Sequence, residues 1–195
     1  MRDAIRNFFV LGAILFAGSA LAQSVAQSAR SSVDLANFHG TKNTLINAIR
    51  DIQKSGGGRV IEIRYTESDG NPGYHVVLAR RGHVQFIHVE KLSNSVTLVD
   101  ASSRPVWMLN WRRKEDVRLA EHAPVSLAKA IRTAEEANNG APAFAAGIAR
   151  SASNPDSDIH ACNILLDVNN SPLRVAVDDS TGEIIADPRA LADWP

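Results

Sequence analysis

The chain has 195 residues, 45% of them hydrophobic and 6% aromatic, with 21 Lys and Arg against 21 Asp and Glu, one Cys and 12 Gly. This composition excludes a collagen-like, a disulfide-stapled and a strongly disordered chain, and the zero net charge removes the broad basic field of a nucleic-acid binder. The length suits one ordinary domain or two small ones.

Residues 1–22 read as a cleaved signal peptide. Arg2 and Arg6 precede an apolar run over 8–17, and Ala20-Leu21-Ala22 supplies the small residues that a signal peptidase requires, so the expected cut falls between Ala22 and Gln23. The run is shorter than the roughly 20 apolar residues that cross a bilayer. After cleavage 173 residues remain, with 19 basic and 20 acidic side chains. No later stretch is long and apolar enough to span a membrane, so the expectation is a periplasmic or secreted protein with no nucleic-acid partner and no stable membrane span.

A flexible N-terminal segment is expected over 23–40, followed by a first unit over 41–101. It opens with a helix in which Leu45, Ile46, Ile49 and Ile52 recur on one face, and Gly56-Gly57-Gly58 stops it. Strands are expected over 60–66, 74–80, 84–90 and 95–99, separated by Asp69-Gly70-Asn71-Pro72-Gly73, Arg81-Gly82 and Leu92-Ser93-Asn94. A connector over 102–122 contains Trp107 to Lys114, a run too aromatic for a free linker and expected to lie against a sheet. The second unit, 123–188, opens with a helix capped by Ser126, with Leu127, Ala130, Ile131 and Ala134 as its stripe and Asn138-Asn139-Gly140 as its stop. Strands follow over 143–150, 158–168, 173–178 and 183–186, and a tail over 189–195 closes the chain. Cys162 lies in the apolar run 159–166, where a thiol reads as buried and inert.

The two units repeat each other. Thr44-Leu45-Ile46-Asn47-Ala48-Ile49-Arg50 matches Ser126-Leu127-Ala128-Lys129-Ala130-Ile131-Arg132 at an offset of 82. Ile87-His88-Val89-Glu90 matches Val175-Ala176-Val177-Asp178, and Asn94-Ser95-Val96 matches Gly182-Glu183-Ile184, both at an offset of 88, which places an insertion in the loop 151–157. The fold expected is therefore α+β, with two tandem units, each an amphipathic helix on a small antiparallel meander. Units this small are marginal alone, which favours their packing together.

A short helix, a Gly-rich stop, a strand pair and a closing Val-x-Val-Asp-x-x-Thr-Gly-x-Ile pattern resemble the PepSY module of thermolysin-like peptidase propeptides and of YpeB-type spore-cortex proteins. The second unit carries the closing pattern as Val175, Val177, Asp178, Thr181, Gly182, Glu183 and Ile184, while the first has Glu90 for the Asp and Asn94 for the Gly. The resemblance spans most of 41–188 and implies an exported, non-catalytic module that binds and regulates or inhibits a peptidase or another envelope protein. Asp178, able to hydrogen-bond amides two or three residues on, and Gly182, able to reverse the chain, read as turn residues.

His75, His83 and His88 cluster, and His160 stands two residues before Cys162, which raises the alternative of a periplasmic metal or small-ligand binding protein using His75, His88 or His160. A two-residue turn at Arg81-Gly82 would set His75 opposite His88, whereas a three-residue turn from Arg80 would set it opposite Ile87. Turn chemistry favours the latter and the repeat favours the former. Either register puts at most two histidines at one spot. Asp167, Asn169, Ser171 and Asp178 have partial calcium-loop spacing, but Pro172 occupies the position where such a loop needs Gly, so a polar hairpin tip is expected. There is no Gly-x-Ser-x-Gly, no His-Glu-x-x-His and no phosphate-binding glycine loop, so no catalytic residue, metal ligand or cofactor is assigned. Trp107, Trp111, Arg112 and Arg113 are the candidate interface, with burial of both tryptophans between the units as the opposing reading. A sheet face left bare by the helices is a second candidate surface.

Overall fold

The computed structural model describes residues 45–68, 71–92, 95–150 and 160–186. The expected signal peptide, the 23–40 segment, the 151–157 insertion and the 189–195 tail lie outside the described residues, which all fall within one compact unit, Asp34–Pro195.

The apolar spacing of the first helix is realised in α1 (Leu45–Gly56), where Leu45, Ala48, Ile49 and Ile52 are buried along one stripe. Gly57 at φ +61° ends it, accepting a backbone conformation that costs other residues about 1–2 kcal/mol. Gly58 is constrained further. At φ +106° its backbone passes so close to the sheet that a Cβ would lie 2.6 Å from the Ala79 carbonyl oxygen.

Four strands follow: β1 (Arg59–Ser68), β2 (Asn71–Arg80), β3 (His83–Leu92) and β4 (Ser95–Pro105). A short 3₁₀ turn (Val106–Met108) leads into α2 (Trp111–His122), and α3 (Leu127–Ala137) precedes β5 (Ala143–Arg150), β6 (His160–Val168), β7 (Ser171–Asp178) and β8 (Ile184–Ile185). The result is an α+β fold: one eight-stranded sheet in the order β4-β3-β2-β1-β5-β6-β7-β8, every neighbouring pair antiparallel, with three α-helices among the described residues. The two meanders are thus joined edge to edge. β1 and β5 pair at the centre with Ile63 opposite Ala146.

Strand alternation divides the sheet into two unlike faces. Ile63, Tyr65, Tyr74, Val76, Ile87, Val89, Ile164 and Val175 are buried on the face covered by α1 and α3, and Tyr65 meets Tyr74 edge to face at 6.0 Å. Ser126 caps α3, its hydroxyl accepting from the Lys129 amide at 3.3 Å. Glu62, Arg64, His75 and His88 occupy the opposite face, where α2 lies across β1 and β5. The chain crosses between the faces after α2, and Arg59 clasps that crossing by donating to the carbonyls of Ala123 and Val125.

α2 occupies much of the expected connector 102–122 and lies against the sheet. Its sequence, Trp-Arg-Arg-Lys-Glu-Asp-Val-Arg-Leu-Ala-Glu-His, has no helical apolar stripe, and among its described side chains only Val117, Leu119 and Ala120 are buried. Asn110 caps it through its side-chain oxygen, which accepts from the Arg113 amide at 2.9 Å.

The β2–β3 hairpin resolves the open register. Arg80 pairs with His83 and His75 with His88, so Arg81-Gly82 is a two-residue turn with φ of +47° and +75°. Local turn chemistry opposed this register, but the core outweighed it. The observed pairing keeps Ile87 and Val89 inward opposite Val76 and Tyr74, worth about 1.5–3 kcal/mol per aliphatic side chain, against about 1–2 kcal/mol for one left-handed Arg.

Candidate functional site

On the α2 face the sheet carries a charge that requires a partner. Glu62 is 8% exposed, and an isolated buried carboxylate is strongly disfavoured. Arg113 supplies the counter-charge, donating from its guanidinium to Glu62 Oε2 at 2.8 Å while lying 3.7 Å from Asp116. This ion pair pins the first turn of α2 to β1. Arg113 is therefore an internal brace and not the freely presented basic contact that its place in the candidate interface implied.

That brace, the Asn110 cap and the Val106 amide donating to the Gly82 carbonyl at 2.9 Å hold the segment between β4 and α2 in place. Trp107, Met108 and Trp111 are displayed on it, 72%, 61% and 69% exposed. Both tryptophans face away from the core, so the alternative in which they fill a gap between units does not hold. Arg112 is the second residue of α2, and its side chain lies outside the described residues; Lys114 is exposed. Three large apolar side chains so open to water make an apolar patch on a braced frame. Met108, next to Trp107, carries no mark in the sequence that separates it from a core methionine; its exposure comes from the fold.

A second feature lies further out on the same face. Arg64, His75 and His88 stand opposite one another on β1, β2 and β3, and with Glu62 and Thr66 they line a cleft of about 430 Å³. Burial pushes the His75 imidazole below its ordinary pKa; Glu62 opposes this, while Arg64, His88 and Arg113 add to it. His160 belongs to β6, separated from β2 by β1 and β5, so it does not join this pair. Among the described side chains, no group of three or more His, Cys, Asp or Glu is arranged to hold a metal.

Cys162 is fully buried on β6, and burial first, then Asp179, pushes its thiol up to about 12, far from the range of a reactive thiolate. Asn169 and Asn170, at φ +53° and +64°, form the β6–β7 hairpin tip, where Asp167 Oδ1 accepts from the Asn170 amide at 3.0 Å. Asp178 lies at the far end of β7, paired with Ala161, so the residues with calcium-loop spacing are dispersed along the hairpin. Asp178 Oδ1 accepts from the amides of Ser180 at 2.8 Å and Thr181 at 2.9 Å, and from the Ser180 hydroxyl. Burial acts to raise this carboxyl, but the bonds from Ser180 and Thr181 outweigh it and hold the pKa below the usual range. Gly182, at φ +81°, donates its amide to the Asp178 carbonyl at 2.9 Å and closes the turn.

No protein-family model matches the chain, and no curated protein does. Among solved structures, the chain is similar to a putative lipoprotein from Clostridium difficile 630 at 13% identity, over 71% of this chain and 87% of that one, with a TM-score of 0.38. Among the described residues no helix is long and apolar enough to cross a membrane.

Proposed function

We infer that this is an exported, non-catalytic binding module that docks a protein of the cell envelope, a peptidase being the class its PepSY resemblance suggests, and regulates it by occupying its surface. The observation that carries the reading is the display of Trp107, Met108 and Trp111 on a segment braced by Arg113 and Asn110. Aromatic side chains with adjacent basic groups are the residue types that anchor protein interfaces, and a rigid frame lowers the entropy lost on docking.

We further propose that the sheet consists of two copies of one helix-and-meander unit. The strand order supports this: it reads outward from the β1–β5 pair as the same succession on both sides, with α1 leading into β1 and α3 into β5. The matched sequence blocks fall on corresponding elements, since Val89 and Val177 both lie on the third strand of their meander. The signal-like N-terminus supports an envelope or secreted location.

The test is comparative capture. Immobilised mature protein and a Trp107→Ala/Trp111→Ala variant with an unchanged circular dichroism spectrum are exposed to envelope extract, and recovered partners are assayed for peptidase activity. A partner that the variant fails to retain, and whose activity falls when the protein is added, is the expected outcome. Identical recovery by both proteins, or no change in any peptidase activity, overturns the reading.

A further inference from the structure

β4 is the outermost described strand at one side of the sheet, as β8 is at the other, and the two edges are unlike. We propose that the open edge of β4 over residues 101–105 receives an extended, acidic segment of the docked partner as an added strand, an inference that rests on the docking reading and gives the partner its chemistry.

The first argument is the direction of the backbone groups. Arg80 and His83 flank a two-residue turn and so form a hydrogen-bonded pair, which points the His83 amide and carbonyl toward β2. Alternate residues reverse that direction, so Val84 and Phe86 address β4, where their partners are Arg104 and Ser102. The Val106 amide donating to the Gly82 carbonyl at 2.9 Å continues the same series. Ala101 and Ser103 therefore aim their amides and carbonyls away from the sheet, and Pro105, which has no N–H, aims only a carbonyl there. Ala101, Ser102, Ser103 and Arg104 are all exposed, and no described strand lies beyond them. These outward groups stand in a row about 14 Å long, at ~3.4 Å per residue, a template for a strand of about five residues.

The second argument is how the edges are protected. β8 is blunted by its length, Ile184–Ile185 alone. On β4 the protecting devices bracket the row instead of crossing it: the ladder shifts register between His88 and Val89, and Pro105 ends the strand. Between them lie the small side chains of Ala101, Ser102 and Ser103, and Arg104, whose guanidinium sits 5.8 Å from the Phe86 ring centroid on the α2 face. A window of this kind admits one short segment and stops an indefinite sheet.

The third argument is charge. The segments 80–86 and 101–114, which meet at this corner, contain no Asp or Glu, and Arg80, Arg81, Arg104 and Lys114 are exposed on them. In a chain of balanced charge this is a local positive field, and it selects an acidic segment. A strand laid along 101–105 also ends beside Trp107 and Met108, so that main-chain bonds from the edge and apolar anchors from the patch act on one partner. A second copy of β4 fits less well, since pairing over five residues falls short of the roughly 1,200 Å² that a stable interface buries and leaves both apolar side chains uncovered.

The edge is tested by titrating the mature protein with a blocked peptide of alternating Glu and Val while amide exchange is followed by NMR. At saturation the Ala101 and Ser103 amides should gain at least about tenfold protection, whereas those of Ser102 and Arg104, already bonded to β3, should not follow. With Glu beside Arg104, the Val amides of the peptide point at β4, so N-methylation at Val should weaken binding at least about tenfold and N-methylation at Glu should not. A peptide with Lys for Glu should also bind at least about tenfold more weakly. No added protection at about 5 mM peptide, or equal binding after Val methylation, overturns the added strand, and equal binding of the Lys peptide overturns its acidic character. Ser103→Pro removes an outward amide and no ladder bond, so in the envelope capture it should lose the partner with an unchanged circular dichroism spectrum. Retention by Ser103→Pro with loss by the tryptophan variant overturns the edge and leaves the docking patch standing; the reverse result removes the tryptophan anchors and keeps the edge.

Discussion

Two rows of residues cross the same face of the sheet, one in each meander, and they differ in kind. The first runs Arg64, His75, His88, Asp100 across β1 to β4. The second runs Gly147, Asn163, Ala176, Ile185 across β5 to β8. The offset of 88 that relates the matched blocks sets His75 against Asn163 and His88 against Ala176, and in each meander those two residues are cross-strand partners. The second row is small and closed: Asn163 is 5% exposed with its side-chain oxygen unsatisfied, and Ala176 is buried. In the first row His75 reaches solvent although its ring is partly desolvated at the cleft, and His88 is half-exposed. A similar backbone frame thus holds an open, titratable row on one side and a sealed one on the other, and backbone register alone does not make a site.

Exchanging the pairs is the strongest way to break this comparison. Asn163→His/Ala176→His forces two imidazoles into closed space, and overpacking at two positions should cost about 2–5 kcal/mol in urea denaturation. The reciprocal His75→Asn/His88→Ala exchange should change stability by less than about 0.5 kcal/mol, as for ordinary surface substitutions. Equal costs in the two directions would show that the rows are not differently packed.

The brace beside the first row comes next. Arg113→Ala leaves the Glu62 carboxylate buried without its partner and should cost about 2–4 kcal/mol, with most of the loss recovered in an Arg113→Met/Glu62→Gln double variant. An Arg113→Ala protein that melts like the parent would mean that Glu62 is paired some other way.

The turn after the second row gives the smallest effect. Asp178→Ala removes the acceptor for the Ser180 and Thr181 amides and should cost about 1–2 kcal/mol near neutral pH. Because the folded state holds the Asp178 carboxyl below its unfolded value, its contribution is complete above the ordinary carboxylate pKa of about 3.9 and is lost as pH falls through the depressed native value. Denaturation of parent and variant at successive pH values should therefore converge in acid. A difference that persists unchanged to the lowest pH would show that the ionised carboxylate is not the source.

The legible parts of the fold are those that local spacing encodes. The stripe of Leu45, Ile49 and Ile52, the Ser126 cap and the Asn and Gly stops located α1 and α3 to within about two residues, because a helix face recurs every three to four positions. Strand alternation located the eight strands, although β2 begins at Asn71, before the expected 74, and β4 extends to Pro105, past the expected 99. α2 was not legible. Its stability comes from Val117, Leu119 and Ala120 meeting the sheet and from Arg113 meeting Glu62, contacts with residues distant in sequence and not a periodic stripe. Among the site residues, Trp107 and Trp111 stood out by type, but their exposure did not, since the same run would read identically if it filled a gap.

The sequence by itself determined the succession of helices and strands and which side chains are apolar enough to form a core. These are local properties, written in composition and in periods of two and 3.6 residues. The tertiary structure decided the joining of both meanders into one sheet, the register that sets His75 against His88, and the brace that turns Arg113 inward. Each of these is a competition between a local preference and burial of residues from distant strands, and about 1–2 kcal/mol of turn strain gives way to a core worth several times that.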